Sequence, residues 1–389
     1  MHVVIIGAGK IGRGFVGRLF SQSGYELVVV EIDQPLIDAL NKRHAYTVHL
    51  VDADATEYVQ VAPVKTALHA DDQIAVAQAI AETDILVTSV GARALPDVAP
   101  NVAAGVRRRI ALGIETPLNC LICENLYNGG NIVRGLVRQH LNAGEQTYLK
   151  AHVGFVDTVI GCVGPPIPPG LRAQDPSAVL AEPYQELPVD RQDFVGSAPR
   201  VVGLEASDHF EAYTARKLYI HNSAHAALAY LGYLKGYTWA HDAAVDDEIL
   251  AHLQALWCES SAGLIAEYGV ERVWLDSLIE GLPRRFANCA LGDTILRLGH
   301  DPARKLSPTD RLVAPARLAE RAGVTPHALS KAIAAALRFD PAEDLLAVDL
   351  QKRLAAEGFD TVLVDVCHIQ PNEPLAGLIR LQYAGLKRT

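Results

Sequence analysis

The sequence is poor in positive charge and has no long apolar run, and each absence removes a class of protein. Its 389 residues include 35 Lys and Arg against 45 Asp and Glu, for a formal net charge of −10. Binding to a nucleic acid backbone or an anionic membrane surface needs concentrated positive charge, so neither partner is expected. No apolar stretch approaches the roughly 18 residues of a transmembrane helix, and the first strand starts too early for a leader peptide. These features predict a soluble cytoplasmic protein.

Cysteine is also scarce, with six residues in the whole chain. This number is too low for a disulfide scaffold in a protein of this length. Cys120 and Cys123 form a C-x-x-C pair, but their segment has the pattern of a buried strand and no second pair exists to complete a zinc site. His221 and His225 have the spacing of zinc-hydrolase histidines, yet Asn222 stands where that motif has its glutamate. No metal is therefore expected.

What the chain does contain, at its start, is a dinucleotide-binding motif. The apolar residues 3–6 predict a strand, and residues 15–20 have a helical pattern. The first glycine of such a motif permits a tight turn, the second lets a pyrophosphate approach the backbone, and the third allows close packing of helix on strand. The residues expected to bind the cofactor here are Gly7, Ala8, Gly9, Lys10, Ile11 and Gly12.

An acidic residue follows the second predicted strand and indicates which dinucleotide binds. Glu31 comes directly after the predicted strand 26–30, which is apolar from residue 27 onward, and nineteen positions after Gly12. A carboxylate there accepts both ribose hydroxyls and repels a 2′-phosphate, so NAD is predicted rather than NADP. Asp33 is an alternative for the same role. A glycine turn without any ligand is disfavoured by the strand, loop and helix context.

Strand-like and helix-like segments alternate through the first half of the chain. This alternation predicts a parallel sheet covered on both faces, with ligands at the carboxyl ends of its strands. Gly91 and Asn125 each follow a predicted strand, so both are expected near the nicotinamide or the substrate. An ordinary turn role is the alternative for Asn125. We predict a Rossmann-type NAD-binding domain over residues 1–195.

The second half of the chain has mainly helical patterns. A proline-rich stretch at residues 163–170 excludes a helix there and leads towards the predicted boundary. Residues 196–389 are expected to form a mainly α-helical substrate domain that closes over the sheet edge, with Lys217 at the cleft.

Three polar groups in one helical segment, Lys217, Asn222 and His225, are candidates for catalysis. On an α-helix Asn222 lies roughly 140° from Lys217 and His225 about 80° from it, so one face presents all three. A buried lysine favours the neutral amine and accepts a proton, while asparagine donates to an oxygen that gains negative charge. The segment indicates carbonyl and hydroxyl chemistry, although an ordinary helix with satisfied polar groups has the same pattern.

Five motifs occur in a specific order. They are Gly7-Ala-Gly-Lys-Ile-Gly-Arg-Gly-Phe15, Cys123-Glu-Asn125, His152-Val-Gly-Phe-Val-Asp157, Lys217-x4-Asn222-x2-His225 and Arg304-Lys-Leu-Ser-Pro-Thr-Asp-Arg311. Together they resemble the polyol-specific long-chain dehydrogenases, also called the mannitol dehydrogenase family, and within it the members that act on mannitol 1-phosphate. The likeness runs from residue 1 to about residue 339 and weakens in the C-terminal tail.

The resemblance implies a metal-independent, NAD-dependent enzyme that interconverts D-mannitol 1-phosphate and D-fructose 6-phosphate. It implies that Lys217 is the general base, which takes the hydroxyl proton while hydride leaves the same carbon. It further implies that Asn125 and Asn222 hold the developing oxyanion and that His225 bonds the substrate hydroxyls.

The resemblance also places Arg297 and Lys305 at the substrate site. With His300, Arg304 and Arg311 they form a basic cluster in an acidic protein, which suits a sugar phosphate. The alternative is that these charges pair with nearby aspartates at the surface, namely Asp301 and Asp310.

The chain departs from the family pattern close to these motifs. Ile160-Gly161-Cys162 stands where relatives usually have Val-Asp-Arg, and Thr214 and Ala215 stand where an acidic residue often precedes the lysine. Lys10 replaces a common asparagine, a change that the loop should tolerate. The first two departures keep open the same chemistry on an unphosphorylated polyol or a hexuronate.

Two further hypotheses rank lower. The 6-phosphogluconate and hydroxyacid dehydrogenases also pair a dinucleotide domain with a helical domain, but their asparagine usually lies closer to the lysine. A non-catalytic NAD-sensing protein would need a partner-binding element, and no basic recognition helix or appended domain is seen. The pattern leaves open whether the protein is a monomer or a dimer.

Overall fold

The computed structural model describes residues 1–52 and 55–387. Its internal contacts divide the chain into two compact units, Met1–Phe210 and Glu211–Thr389. The first unit contains all the strands among the described residues. They are β1 His2–Ile6, β2 Glu26–Glu31, β3 Tyr46–Val51, β4 Thr56–Val61, β5 Val64–His69, β6 Ile85–Thr88, β7 Leu118–Ile122, β8 Val153–Asp157, β9 Val179–Ala181, β10 Leu187–Asp190 and β11 Leu204–Ser207.

The main sheet is six-stranded and entirely parallel, in the order β5-β2-β1-β6-β7-β8. This order reverses direction between β1 and β6, which is the arrangement that opens a ligand crevice at the strand ends. The predicted Rossmann-type parallel sheet is therefore confirmed.

Helices cover both faces of this sheet. Val3 and Ile5 pack into one apolar layer and Val4 and Ile6 into the other, because alternate side chains of a strand point to opposite faces. Strands buried on both sides need continuous apolar runs, which is what the sequence shows. The helices of the first unit are α1 Arg18–Gln22, α2 Gln34–Arg43, α3 Gln73–Glu82, α4 Leu95–Ala111, α5 Gly129–Arg138, α6 Ala143–His152 and α7 Pro169–Gln174.

Two small sheets complete the first unit. One has the order β4-β3-β9, and in the other β11 lies parallel to β10. The pairing of β11 ties residues up to Ser207 to the first unit. For this reason the contacts divide the chain after Phe210, whereas the sequence suggested a boundary at 195/196.

The second unit is built from helices, in agreement with the predicted mainly helical domain. Its long helix α11, Asp247–Tyr268, is preceded by Asp246, whose carboxylate accepts from the backbone N–H groups of Glu248 and Ile249, and is followed by Gly269 in the left-handed conformation. The helices are α8 Phe210–Arg216, α9 Ser223–Leu234, α10 Ala240–Ala243, α11 Asp247–Tyr268, α12 Arg272–Ile279, α13 Leu282–Phe286, α14 Ile295–Gly299, α15 Pro302–Lys305, α16 Val313–Arg321, α17 His327–Leu337, α18 Leu345–Glu357, α19 Phe359–Cys367 and α20 Pro374–Gly385.

The core of the second unit surrounds α9, which contacts α11, α14 and α17. Nearly every side chain of α9 is buried, as expected of a helix that is apolar on all sides. Glu259 fixes the start of α17, because its carboxylate accepts from the backbone N–H of Ala328 at 2.7 Å and of Leu329 at 2.9 Å. Among the described residues, no helix combines the length and the apolar character needed to cross a membrane.

Candidate active site

The glycine loop after β1 is packed too tightly for side chains at two of its three glycines. Gly7 has a φ of 94°, and a Cβ there would lie 2.6 Å from the carbonyl oxygen of Ser89. A Cβ on Gly12 would overlap the carbonyl oxygen of Gly7. The first requirement fits the tight turn, and the second fits the close approach of helix to strand.

Gly9 is different, because a Cβ placed there would meet no atom within 4 Å. The packing of the protein alone does not require glycine at this position. Open space directly above the loop backbone is what a pyrophosphate needs in order to reach the N–H groups. The loop therefore fits a dinucleotide.

Glu31, at the end of β2, is bound to the glycine loop. Its carboxylate accepts from the backbone N–H of Ala8 at 2.8 Å and of Ile32 at 2.7 Å. It still has lone pairs for ribose hydroxyls, since a carboxylate offers about four acceptor positions. Asp33, the alternative ribose ligand, forms an ion pair with Arg172, with 2.7 Å between Oδ2 and Nη2.

The loop after β6 is held by a residue to which the sequence assigned no role. The buried carboxylate of Glu124 accepts from the backbone N–H groups of Val90 and Gly91, both at 2.8 Å. Burial raises the pKa of this carboxyl group, and the two hydrogen bonds oppose that rise. Glu124 thus fixes Gly91 at the carboxyl end of β6, where the sheet order reverses. The motif Cys123-Glu-Asn125 was the only sequence signal for it.

Asn125 is exposed and lies in the bend that follows β7, next to Glu124. Because β6 and β7 are parallel neighbours, their carboxyl ends meet at one edge of the sheet. The structure therefore brings Asn125 and Gly91 to the same edge within the first unit.

The departures from the family pattern have local structural reasons. A Cβ on Gly161 would lie 2.5 Å from the hydroxyl oxygen of Tyr184, so this tyrosine occupies the space that a longer side chain at 161 would need. Lys10 packs beside Gly164, whose added Cβ would come within 2.5 Å of the lysine Cβ. The proline-rich segment therefore runs against the glycine loop.

The candidate catalytic segment of the second unit is not a regular α-helix. Residues Lys217–Asn222 form a π-helical turn between α8 and α9. Its hydrogen bonds run from residue i to i+5, so Lys217 and Asn222 lie nearly one above the other. The separation of roughly 140° expected for an α-helix is therefore wrong, and the true arrangement places the two groups closer to a common face. Such π turns occur often at functional sites.

Lys217 has the electrostatics of a base. It is partly buried, and burial together with the nearby Arg311 cation lowers its pKa from 10.5 to about 8. Burial acts by penalising the ammonium form, and Arg311 acts by repelling it. A substantial fraction of Lys217 is then neutral near physiological pH.

His225 is held as a neutral imidazole. Its ring stacks on Phe286 with 4.8 Å between centroids and 5° between planes, and its Nε2 lies 3.7 Å from a carboxylate oxygen of Asp293. Burial, together with the nearby cations Arg297, Arg285, Arg311 and Lys305, lowers the pKa of His225 to about 3. A neutral ring has one donor and one acceptor nitrogen, which suits hydroxyl groups.

The basic groups that lower the pKa of His225 have contacts of their own. Arg297 forms an ion pair with Asp293. Lys305 is almost fully buried and donates to the carbonyl oxygen of His300. Burial, together with Arg311 and Arg304, lowers the pKa of Lys305 to about 7.

The remaining predicted substrate residues already have acidic partners. Arg304 lies 3.2 Å from Asp301 and 3.7 Å from Asp310. His300 Nδ1 lies 3.2 Å from the buried carboxylate of Asp344. The pairing with aspartates considered from the sequence does occur for Arg304, and also for Arg311, whose Nε lies 2.6 Å from a carboxylate oxygen of Asp310.

The structure thus groups Lys217, Asn222 and His225 with a set of cations inside the second unit. Arg311 already belonged to the basic cluster predicted from the sequence, whereas Arg285 and the buried Asp293 had no predicted role. Isolated charges carry no periodic signal, so only their contacts identify them. Within residues 1–52 and 55–387 there is no cluster of three or more His, Cys, Asp or Glu able to hold a metal.

Two family models match the chain in succession. The mannitol dehydrogenase Rossmann domain matches residues 1–203, and the mannitol dehydrogenase C-terminal domain matches residues 209–363. Among solved structures, the Pseudomonas fluorescens mannitol 2-dehydrogenase ternary complex with NAD and D-mannitol is 20% identical, with a TM-score of 0.73 over 99% of this chain and 92% of that chain. A substrate-free D-sorbitol dehydrogenase is 16% identical, with a TM-score of 0.82 over 98% of this chain and 92% of that one. At such identities the solved structures support the fold.

Proposed function

Because the chain belongs to the mannitol dehydrogenase family and uses NAD, we propose that it oxidises D-mannitol 1-phosphate to D-fructose 6-phosphate and catalyses the reverse reaction. This is the reaction of a mannitol-1-phosphate 5-dehydrogenase. The observation that carries the proposal is the set of cations around the neutral His225, next to the lysine of lowered pKa, in a chain whose net charge is −10.

The proton step is assigned to Lys217. In its neutral form the Nζ lone pair accepts the proton of the reacting hydroxyl, while the C–H electron pair of the same carbon leaves as hydride and a carbonyl forms. NAD, when bound, supplies the hydride acceptor. In the reverse direction the Lys217 ammonium returns the proton to the carbonyl oxygen. The lowered pKa supports both directions near neutral pH, because both forms of the amine are then populated.

The amides and the imidazole are assigned to orient the substrate. Asn222 shares the π turn with Lys217, so its amide N–H is suited to the oxygen from which Lys217 removes the proton. Asn125 is given the same role by its resemblance to the family motif. His225 is assigned to the neighbouring hydroxyls, which it binds without competing for the proton because it stays neutral.

The substrate phosphate is assigned to the basic residues of the candidate site. Arg297, His300, Arg304 and Lys305 are the proposed ligands, and the charges of Arg297 and Lys305 both contribute to the lowered pKa of His225. A phosphate dianion beside Lys305 would raise the pKa of that lysine and keep it charged. Lys305 therefore contributes strongly to the binding of a phosphorylated substrate and little to the binding of a free polyol.

The test compares the KM of mannitol 1-phosphate with that of mannitol in Lys305→Ala and Arg304→Ala. We expect the KM of the phosphorylated substrate to rise about tenfold or more while that of mannitol changes little, since a charge-assisted bond is lost. Arg317→Ala is the matched control, because Arg317 pairs with Glu373 in another part of the second unit. Equal changes for both substrates would remove the phosphate role.

A second candidate is the same chemistry on an unphosphorylated polyol or a hexuronate. It is favoured by the ion pairs of Arg297 and Arg304 with aspartates, which already neutralise two of the proposed phosphate ligands. The structural neighbours named for mannitol and sorbitol are in line with it.

The variant Lys217→Ala distinguishes an enzyme from an NAD-sensing protein. In an enzyme it should abolish turnover and leave NADH binding largely intact. A cytoplasmic location and a monomeric or dimeric state remain predictions from the sequence.

A further inference from the structure

A short helix from a distant part of the sequence lies beside the acidic end of β2. Arg172 of α7 reaches Asp33, which is two residues beyond Glu31 and precedes the first turn of α2. The end of the second strand is where dinucleotide folds place the adenosine ribose. A guanidinium therefore lies beside the strand end at which this fold binds the ribose, whose 2′-hydroxyl in NAD is replaced by a 2′-phosphate in NADP.

The segment that carries Arg172 is fastened on two sides. Arg43 at the end of α2 lies 2.5 Å from the Asp175 carboxylate and donates to the Ser177 hydroxyl at 3.1 Å. The buried Arg13, which follows the glycine loop, donates to the carbonyl oxygens of Ala8 at 2.5 Å and of Ser177 at 2.6 Å. These bonds hold the segment to both α2 and the glycine loop. The position of Arg172 beside Asp33 is therefore fixed by the surrounding structure.

The carboxylates of Glu31 and Asp33 have different structural roles. Both oxygens of Glu31 accept backbone N–H groups, so Glu31 is part of the loop structure. Asp33 makes no cap bond to its own helix and instead pairs with Arg172. The Asp33 side chain is 32% exposed and that of Arg172 is 64% exposed, so a ligand can reach both.

We propose that Arg172 is a latent phosphate-binding residue which Asp33 neutralises, and that this ion pair acts with Glu31 to exclude NADP. With both carboxylates present, the group of Glu31, Asp33 and Arg172 has one excess negative charge, which repels a dianion. Without Asp33 the excess is removed, and the planar guanidinium presents two parallel N–H donors to the phosphate oxygens. Specificity then arises from a repulsive element as well as from the ribose contacts.

The experiment uses four variants of the full chain: Asp33→Ser, Arg172→Ala, the double variant, and Asp38→Ser as control. Serine keeps a residue suited to the helix start, and Asp38 removes a carboxylate from the same helix, where it contacts Gln34. Titration calorimetry measures the Kd of 2′,5′-ADP and of 5′-AMP, which does not depend on turnover. The kcat/KM values with NADP and NAD are measured beside it.

Asp33→Ser should tighten 2′,5′-ADP by about tenfold or more relative to 5′-AMP, since a repulsion is replaced by a charge-assisted pair. The double variant should lose that gain, and Asp38→Ser should not show it. The kcat/KM with NADP should follow the same order. Equal affinity of Asp33→Ser and the double variant for 2′,5′-ADP would overturn the role of Arg172. No tightening in Asp33→Ser, with an unchanged unfolding midpoint, would overturn the role of the ion pair.

Discussion

The pKa of Lys217 leads to a quantitative prediction for the pH dependence of oxidation. Burial, aided by Arg311, lowers this pKa from 10.5 to about 8. At pH 7 a lysine with a pKa near 8 is neutral in about one molecule in ten, whereas at 10.5 it would be neutral in about one in three thousand. The environment of Lys217 therefore multiplies the concentration of competent base by about 300-fold.

The assay is kcat/KM for NAD-linked polyol oxidation as a function of pH. We expect a rise of about tenfold per pH unit up to a plateau that begins near pH 8, and a fall above that point for the reverse reaction, which needs the ammonium. Arg311→Leu should move the rising limb to higher pH, because it removes the cation that repels the ammonium. Arg353→Leu is the control, as Arg353 pairs with Glu357 and Asp365. A rising limb near pH 10 in the wild type would show that the pKa of Lys217 is not lowered.

The same shift has a consequence for stability that needs no substrate. The folded pKa of Lys217 lies below the unfolded value, so the folded state disfavours the ammonium, and the cost of about 3 kcal/mol is fully present below pH 8. This cost disappears as the pH rises from about 8 to about 10.5. At pH 7 the free energy of unfolding of Lys217→Met should therefore exceed that of the wild type by up to that amount. Urea unfolding at alkaline pH should show that this difference disappears. A constant difference would contradict the pKa.

Two further predictions concern the cofactor side. Gly12→Ala should lower the free energy of unfolding by about 2 kcal/mol through overlap with the loop backbone, whereas Gly9→Ala should leave stability unchanged and weaken NADH binding, as fluorescence titration and urea unfolding will show. Glu124→Gln turns an amide NH₂ towards one of two buried N–H donors. It should cost about 1–3 kcal/mol and raise the KM of NAD more than that of the polyol, and equal KM values for NAD in mutant and wild type would exclude a positioning role.

Much of the first unit follows from local sequence pattern. The apolar strand before Gly7, the spacing of the glycines and the acidic residue at position 31 each obey short-range rules, so their prediction needs no tertiary information. The alternation of strands and helices fixes the sheet as parallel. The pairing of β9 with β3 was not predicted, because more than a hundred residues of chain separate the two strands.

The parts of the candidate site that were not predicted depend on contacts between distant residues. The π turn at Lys217 adds a residue to a helix without any change in the apolar pattern that the sequence displays. The contacts of three further residues are also not revealed by periodicity. Glu124 binds backbone N–H groups, and Arg172 and Asp293 each form an ion pair with another residue. The lowered pKa of Lys217 likewise results from burial by residues far apart in the chain.

The most direct test of the account is the initial rate of NADH formation by the purified protein on mannitol 1-phosphate and on mannitol, with NAD and with NADP. We expect that NAD is used, that Lys217→Ala is inactive, and that kcat/KM is at least about a hundredfold higher for the phosphorylated substrate, because two charge-assisted bonds are added. An equal or higher kcat/KM for mannitol would contradict the phosphate substrate and leave only the chemistry of Lys217.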